Sequence, residues 1–252
     1  MVKRGAIVTG AASGIGRATA IRFAEEGCRV AVVDLDTDDG TRTASMIEDA
    51  GGTSTFVRAD VSDESSVVKA VEQAVNSVGP LDTLVNNAGV AFMGTVAETS
   101  ESDWDRVLDI NLKGTFLMTK HLIPRFLATG SGVIVNVASN AGIVGVKNLA
   151  AYCASKGGVV QLSQALALEL AALNIRVNTV APSSTVRTRM FEARLGRSQD
   201  PKALGEALAA ANPIGRLCNP EDVAELILYI ASDRASYITG GIFPIDGGLT
   251  AA

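Results

Sequence analysis

Seven short strand-like runs recur along this chain of 252 residues, and most are rich in Val and Ile without the polar alternation of a half-exposed strand. They are Ala6–Thr9, Arg29–Asp34, Thr53–Arg58, Thr83–Asn86, Gly132–Ala138, Ile175–Val180 and Ile242–Ile245. A strand covered on both faces by helices looks like this, because neither face meets water. Helical stretches lie between the runs. The first follows Gly14 through Ala24, and the others are Thr41–Ala50, Ser65–Val78, Asp103–Leu127, Ala154–Leu173 and Glu221–Ala231. Strands and helices alternating over short connections predict an α/β fold, a doubly wound parallel sheet of seven strands in one domain over 1–252. The excursion Ser183–Asn212, interrupted by Gly196 and Pro201, lies beyond the carboxyl end of the sixth run. An insertion there is placed to cover a ligand.

Composition narrows the function classes. Residues are 47% hydrophobic and 19% charged, which supplies a core and argues against disorder. A net charge of −5 offers no basic face for phosphates, so no nucleic-acid partner is expected. Cys28, Cys153 and Cys218 are far apart and not in metal spacing, so neither a disulfide framework nor a metal site is expected. No run approaches the roughly 18 apolar residues of a membrane helix. Met1–Gly5 carries no apolar leader, and the expectation is a cytoplasmic protein without a membrane partner.

Thr9–Gly16 follows the first strand and opens the first helix with the spacing G-x-x-x-G-x-G at Gly10, Gly14 and Gly16. Glycines let backbone N–H groups of Ser13, Gly14, Ile15 and Gly16 approach a pyrophosphate, and the helix N-terminus adds partial positive charge. Alone, this could be a plain strand–helix turn. Asp34, however, ends the second run, where a carboxylate accepts hydrogen bonds from adenosine ribose hydroxyls. It would repel a 2′-phosphate, and neither Ser13 nor Leu35 offsets it with a positive charge. Arg17 is close in sequence but could equally be solvated surface. The electrostatics favour NAD(H) over NADP(H).

Tyr152 and Lys156 stand four apart at a helix start and share a face. An ammonium beside a phenol favours the phenolate and brings it toward a useful range. Alone, the pair could also be a half-buried tyrosine beside a solvated lysine.

The whole pattern resembles the short-chain dehydrogenase/reductases in their compact, Rossmann-like form. Thr9–Gly16 is similar to that family's cofactor turn, Asp60-Val61 to its adenine contact, and Asn86-Asn87-Ala88-Gly89 to its fourth-strand motif. Asn111, Ser139, Tyr152 and Lys156 match its catalytic tetrad, and Asp246-Gly247-Gly248 its C-terminal signature. The resemblance implies an NAD(H)-dependent oxidoreductase that interconverts a secondary alcohol and a ketone. Tyr152 would move the proton, Lys156 would lower its pKa and hold the nicotinamide ribose, and Ser139 would donate to the substrate oxygen. Asn111 would hold a water leading to Lys156, and Asn87 would support the nicotinamide side. A 3-oxoacyl-thioester reductase, and a non-catalytic nucleotide sensor or scaffold, remain as alternatives.

One departure is Pro182-Ser183, where the family usually has Pro-Gly. The following stretch is one residue longer than the common form, so Thr188 is matched to the nicotinamide-binding threonine with Thr185 as fallback. Substrate walls are expected from 89–94, 140–148 and 183–195. Arg187, Arg189, Arg194 and Arg197 in the excursion suggest an anionic substrate, with Arg187 and Arg189 nearest Thr188. The apolar helix Ala154–Leu173 and the resemblance together suggest a homotetramer. His121, Trp104, Met93, Met118, Met190 and Cys153 are assigned to packing.

Overall fold

The computed structural model describes residues 5–251, and Met1–Arg4, where no apolar leader is expected, lie outside them. Each apolar run becomes a strand: β1 (Gly5–Thr9), β2 (Arg29–Asp34), β3 (Thr53–Arg58), β4 (Leu81–Asn86), β5 (Gly132–Val137), β6 (Ile175–Pro182) and β7 (Ile242–Ile245). They form one seven-stranded sheet in the order β3-β2-β1-β4-β5-β6-β7, parallel throughout.

Alternate strand residues feed two different cores, which is why no polar alternation was visible. Ile7, Ala31, Val33, Leu84, Ile134 and Val177 face α3 (Glu64–Val78), α5 (Gly114–Thr129) and α6 (Ala150–Leu170). Ala6, Val8, Val30, Val32, Val85 and Val135 face α1 (Gly14–Glu25), α2 (Thr37–Asp49) and α9 (Pro220–Ala231). The strand order reverses between β1 and β4. Loops there leave toward opposite faces and open a crevice at the carboxyl ends of the strands.

Several boundaries differ from the expected ones. Helix α2 starts at Thr37, because Asp36 caps it by accepting from Asp39 N at 3.0 Å. Helix α6 starts at Ala150 and so contains Tyr152 as well as Lys156. The stretch expected as one helix over Asp103–Leu127 is α4 (Glu101–Leu108) and α5 joined by a π-helical turn at Asp109–Lys113. That turn carries Asn111, and such bulges are frequent at functional sites. The excursion holds α7 (Arg189–Gly196) and α8 (Pro201–Ala210), each started by a side-chain cap from Thr188 and Asp200. His121 does not pack inward. Its Nε2 lies 2.9 Å from Glu64 Oε1, beside the Lys120–Glu64 ion pair. Among the described residues no helix is long and apolar enough to cross a membrane.

Candidate active site

The glycine turn is held open by its own conformation and by β4. Gly10 adopts φ +64°, and a Cβ there would stand 2.8 Å from Ala88 Cα. Asn87 Nδ2 donates to Thr9 O (3.0 Å) and Gly10 O (3.1 Å), while Thr9 Oγ1 accepts from the N–H groups of Asn87 and Ala88. Asn87 therefore fastens the turn across the switch point, a role its sequence position did not disclose. The first N–H groups of α1 have no intrahelical partner, and the Ser13 hydroxyl is not spent on capping. This is a cradle that fits a pyrophosphate.

Asp34 accepts, among the described residues, only from backbone: Ala12 N at 2.9 Å and Asp36 N at 3.0 Å. Among the described residues no cation pairs with it. Arg17, the open question of the sequence, is held elsewhere, donating to Thr43 Oγ1 at 2.9 Å and to Ala12 O, with Asp39 at 3.4 Å. Leu35 is half exposed beside Asp34. Asp60 follows β3 with Oδ1 tied to Ser62 N and Oγ, and the buried Val61 packs on Gly114.

Four residues from three elements converge near the carboxyl ends of β4 and β5: Asn111 on the π-helical turn, Ser139 just past the end of β5, and Tyr152 and Lys156 on α6. Ser139 caps a short helical turn, Asn140–Gly142, by accepting from Ala141 N at 3.1 Å. Its hydroxyl lies 3.1 Å from Asn140 Oδ1 and 3.4 Å from Pro182 O. This turn packs directly on the α6 backbone. A Cβ at Gly142 would come within 2.7 Å of Lys156 O, so only glycine allows the approach that brings Ser139 to Tyr152. Gly142 went unnoticed in the sequence because it belongs to no spaced motif. Lys156 Nζ lies 5.9 Å from the Tyr152 ring centroid and donates to Val137 O at 2.8 Å. Asn111 is wholly buried. It accepts from Val90 N at 2.8 Å, and its Nδ2 donates to Val90 O and Ser155 Oγ, each at 2.9 Å. A Cβ at Gly89 would meet both Asn111 Oδ1 (3.2 Å) and Lys156 Nζ (3.3 Å), so both groups border this glycine.

Burial dominates the electrostatics. Desolvation pushes the Tyr152 hydroxyl up to about 12, with hydrogen bonding to Ser139 acting against it. The same cause pulls the Lys156 ammonium down to about 8. The expected lowering of Tyr152 by Lys156 is not found: burial raises the phenol, and the opposing contribution comes from Ser139. Below the strand ends runs a second chain of buried polar groups that the sequence did not suggest. Asn86 Nδ2 donates to Asn136 Oδ1 (2.9 Å), and Asn136 Nδ2 to Ser163 Oγ (2.8 Å). Those bonds tie β4, β5 and α6 together beneath the site.

The excursion closes over the glycine turn. The Thr188 methyl would lie 2.9 Å from a Cβ at Gly14, while its hydroxyl donates to Thr185 O and accepts from Phe191 N. Thr185 is buried, its own hydroxyl directed to Ser183 O. Ser183 N donates to Ile245 O, which keeps this departure from the family pattern tied to β7. Arg187 and Arg189, expected nearest a substrate, are paired with carboxylates instead: Arg187 with Glu221, Arg189 with Asp36 at 2.6 Å and with Asp39. Arg189 so latches α7 onto the start of α2.

The comparisons agree with this geometry. The family model described as enoyl-(acyl carrier protein) reductase matches residues 10–250. The chain is 43% identical over 250 residues to cis-4-hydroxycyclohexanecarboxylate dehydrogenase of Sinomonas cyclohexanicum, covering 99% of this chain and 97% of the relative. It is 39% identical over 244 residues to 2-(S)-hydroxypropyl-CoM dehydrogenase 3 of Xanthobacter autotrophicus, covering 97% and 95%. Among solved structures, that of levodione reductase superposes with a TM-score of 0.95 at 33% identity, covering 99% of this chain and 98% of the other. With the sheet order, the glycine turn and the Ser139–Tyr152–Lys156 cluster on one crevice, these matches show that the chain belongs to the short-chain dehydrogenase/reductases, oxidoreductases that act on CH–OH groups with a nicotinamide cofactor.

Proposed function

We propose that the chain interconverts a secondary alcohol and a ketone using NAD(H) in preference to NADP(H), with Tyr152 as the acid–base group. The observation that carries this is the packing of the Ser139 turn on α6 at Gly142, with the Tyr152 hydroxyl hydrogen-bonded to Ser139 and Lys156 Nζ 5.9 Å from the Tyr152 ring centroid. Two relatives named for hydroxyl-bearing compounds support an alcohol substrate. The nicotinamide cofactor supplies or accepts the hydride. In the oxidation direction the Tyr152 oxygen takes the hydroxyl proton, and in reduction it returns it. The Ser139 hydroxyl donates to the substrate oxygen as charge develops there. Lys156 holds positive charge beside the phenol, and Asn111 fixes the loop at Val90 so that a proton path toward Lys156 stays open. The α1 N-terminus would hold the pyrophosphate, Asp60-Val61 would border the adenine, and Asp34 would take the adenosine ribose hydroxyls. Thr188, next to Gly14, would serve the nicotinamide side.

The test is turnover by the purified protein on a panel of secondary alcohols, with both cofactors titrated. NAD(H) is expected to bind about tenfold or more tighter than NADP(H), because a 2′-phosphate against an unpaired carboxylate costs more than about 1.4 kcal/mol. Asp34→Ala should narrow that gap, and tighter binding of NADP(H) by the wild type would overturn the assignment. The competing reading, a 3-oxoacyl-thioester reductase, is favoured by 40% identity over 243 residues to a relative named 3-oxoacyl-(acyl-carrier-protein) reductase from Thermotoga maritima. Asp34 argues against it, since those reductases usually take NADPH, and turnover of 3-oxoacyl thioesters faster than of free alcohols or ketones would establish it.

We also propose a homo-oligomer, most simply a tetramer. Leu168 on α6 is 85% exposed, and Phe116 and Leu127 on α5 and Leu173 just past α6 are exposed as well. Apolar residues this open on two neighbouring helices call for a partner surface. Light scattering at micromolar concentration should return a multiple of the 26.0 kDa chain mass, and a monomer would refute it.

A further inference from the structure

The four arginines of the excursion divide into two pairs. Arg187 and Arg189 are neutralised by Glu221, Asp36 and Asp39. Arg194 and Arg197 are not: among the described residues each makes one hydrogen bond, to a neutral acceptor. Arg194 Nη1 donates to Ser184 Oγ and Arg197 Nη1 to Met93 O, both at 3.3 Å. A guanidinium has five N–H donors, so most of each remains unspent.

Their anchors lie on two walls of the cleft. Ser184 is two residues past Pro182, whose carbonyl is 3.4 Å from Ser139 Oγ. Met93 is four residues past Gly89, the glycine that borders Asn111 and Lys156. Beside Met93, Gly94 N donates to Asn148 O at 3.0 Å, joining the loop after β4 to the loop that leads into α6. Half-buried Arg194 is therefore tied to the segment that follows β6, and exposed Arg197 to the loop that follows β4. Arg194 lies in the last turn of α7 and Arg197 is its C-cap. The negative end of the α7 dipole favours cations there but spends none of their side-chain donors.

We propose that Arg194 and Arg197 form an anion subsite that receives a carboxylate carried by the alcohol substrate, at the end remote from its carbinol carbon. The planar guanidinium fork matches the two oxygens of a carboxylate. The inference rests on the alcohol–ketone reading and names its substrate class, a hydroxy acid with a short frame between the hydroxyl and the acid group. It moves the anionic contact away from Arg187 and Arg189, which the sequence had favoured.

The test measures NAD-linked kcat/KM for secondary hydroxy acids of graded length and for their neutral amides. It also measures, by calorimetry with NAD present, the binding of the matching acid that lacks the hydroxyl. In the wild type the best acid should exceed its amide by about 10- to 100-fold, as charge-assisted hydrogen bonds allow. Arg194→Ala and Arg197→Ala should each reduce that ratio, mainly through KM, and the double variant should bring it near one. Both Lys variants should keep part of it. Arg187→Ala, at the paired surface site, should leave the ratio as in the wild type. An acid–amide ratio near one in the wild type, or one that survives in the double variant, overturns the subsite while leaving the alcohol–ketone reading in place. Calorimetric binding of the acid that is lost in the double variant, without turnover of any alcohol, would instead overturn the alcohol–ketone reading and leave an anion site.

Discussion

Replacing Tyr152 with phenylalanine is expected to lower kcat by about 10²–10⁴-fold, the usual contribution of a positioned acid–base group. Cofactor affinity should be nearly unchanged. Tyr152 is almost wholly buried on α6 and its hydroxyl is hydrogen-bonded to Ser139, so the variant keeps the ring and removes one oxygen. That oxygen has a raised proton affinity, pushed to about 12 by burial. A phenol in this state holds its proton at neutral pH and is suited to donate it to a forming alkoxide. In the oxidation direction it must first lose the proton. Turnover to ketone should therefore rise with pH across the range where reduction does not. Measurement of kcat in both directions, with NAD binding followed by fluorescence, checks the prediction. A variant that keeps a tenth of the wild-type kcat would remove Tyr152 from the proton-transfer step.

How far the sequence announced this site depends on how each residue is held. Gly10, Gly14 and Gly16 stand in a spacing set by a local turn, and Tyr152 and Lys156 in one set by a helix, so their proximity is written in short-range order. Asn111 was legible as a residue but not as a conformation. The π-helical turn at Asp109–Lys113 interrupts a stretch whose apolar pattern continues on both sides, and only tertiary contact with Val90 and Ser155 singles it out. Gly142 and the Asn86–Asn136–Ser163 chain were illegible for the opposite reason: their function is contact between distant segments, with no local signature. The arginines of the excursion show the same limit. Proximity in sequence to Thr188 pointed to Arg187 and Arg189, yet charge pairing across the fold absorbed both and left Arg194 and Arg197 with donors to spare.

Lys156→Met is expected to cost turnover about 10²-fold or more while changing how stability depends on pH. The Lys156 ammonium is buried, and desolvation lowers its pKa from 10.5 to about 8. Between those values the unfolded chain binds a proton that the folded protein has released, so this group makes stability rise with pH across that window. Each pH unit of displacement is worth about 1.4 kcal/mol, which makes the swing about 3 kcal/mol between pH 7 and about 10.5. Removing the lysine also deprives Val137 O of its donor at 2.8 Å, but that loss does not vary with pH. Tyr152 contributes with the opposite sign and in a different window. Its pKa is raised in the fold, so its contribution is complete below about 10 and is lost as pH climbs toward 12. It is present in both proteins and cancels in their difference. Urea unfolding of wild type and variant at one protein concentration, compared at pH 7 and near pH 10, isolates the lysine. The wild type should gain on the variant by up to about 3 kcal/mol as pH rises, and a difference that stays flat would mean that Lys156 is as well solvated in the fold as in the unfolded chain. Turnover lost together with a flattened pH slope would mean that the protein keeps a buried, destabilising charge because the chemistry beside Tyr152 needs it.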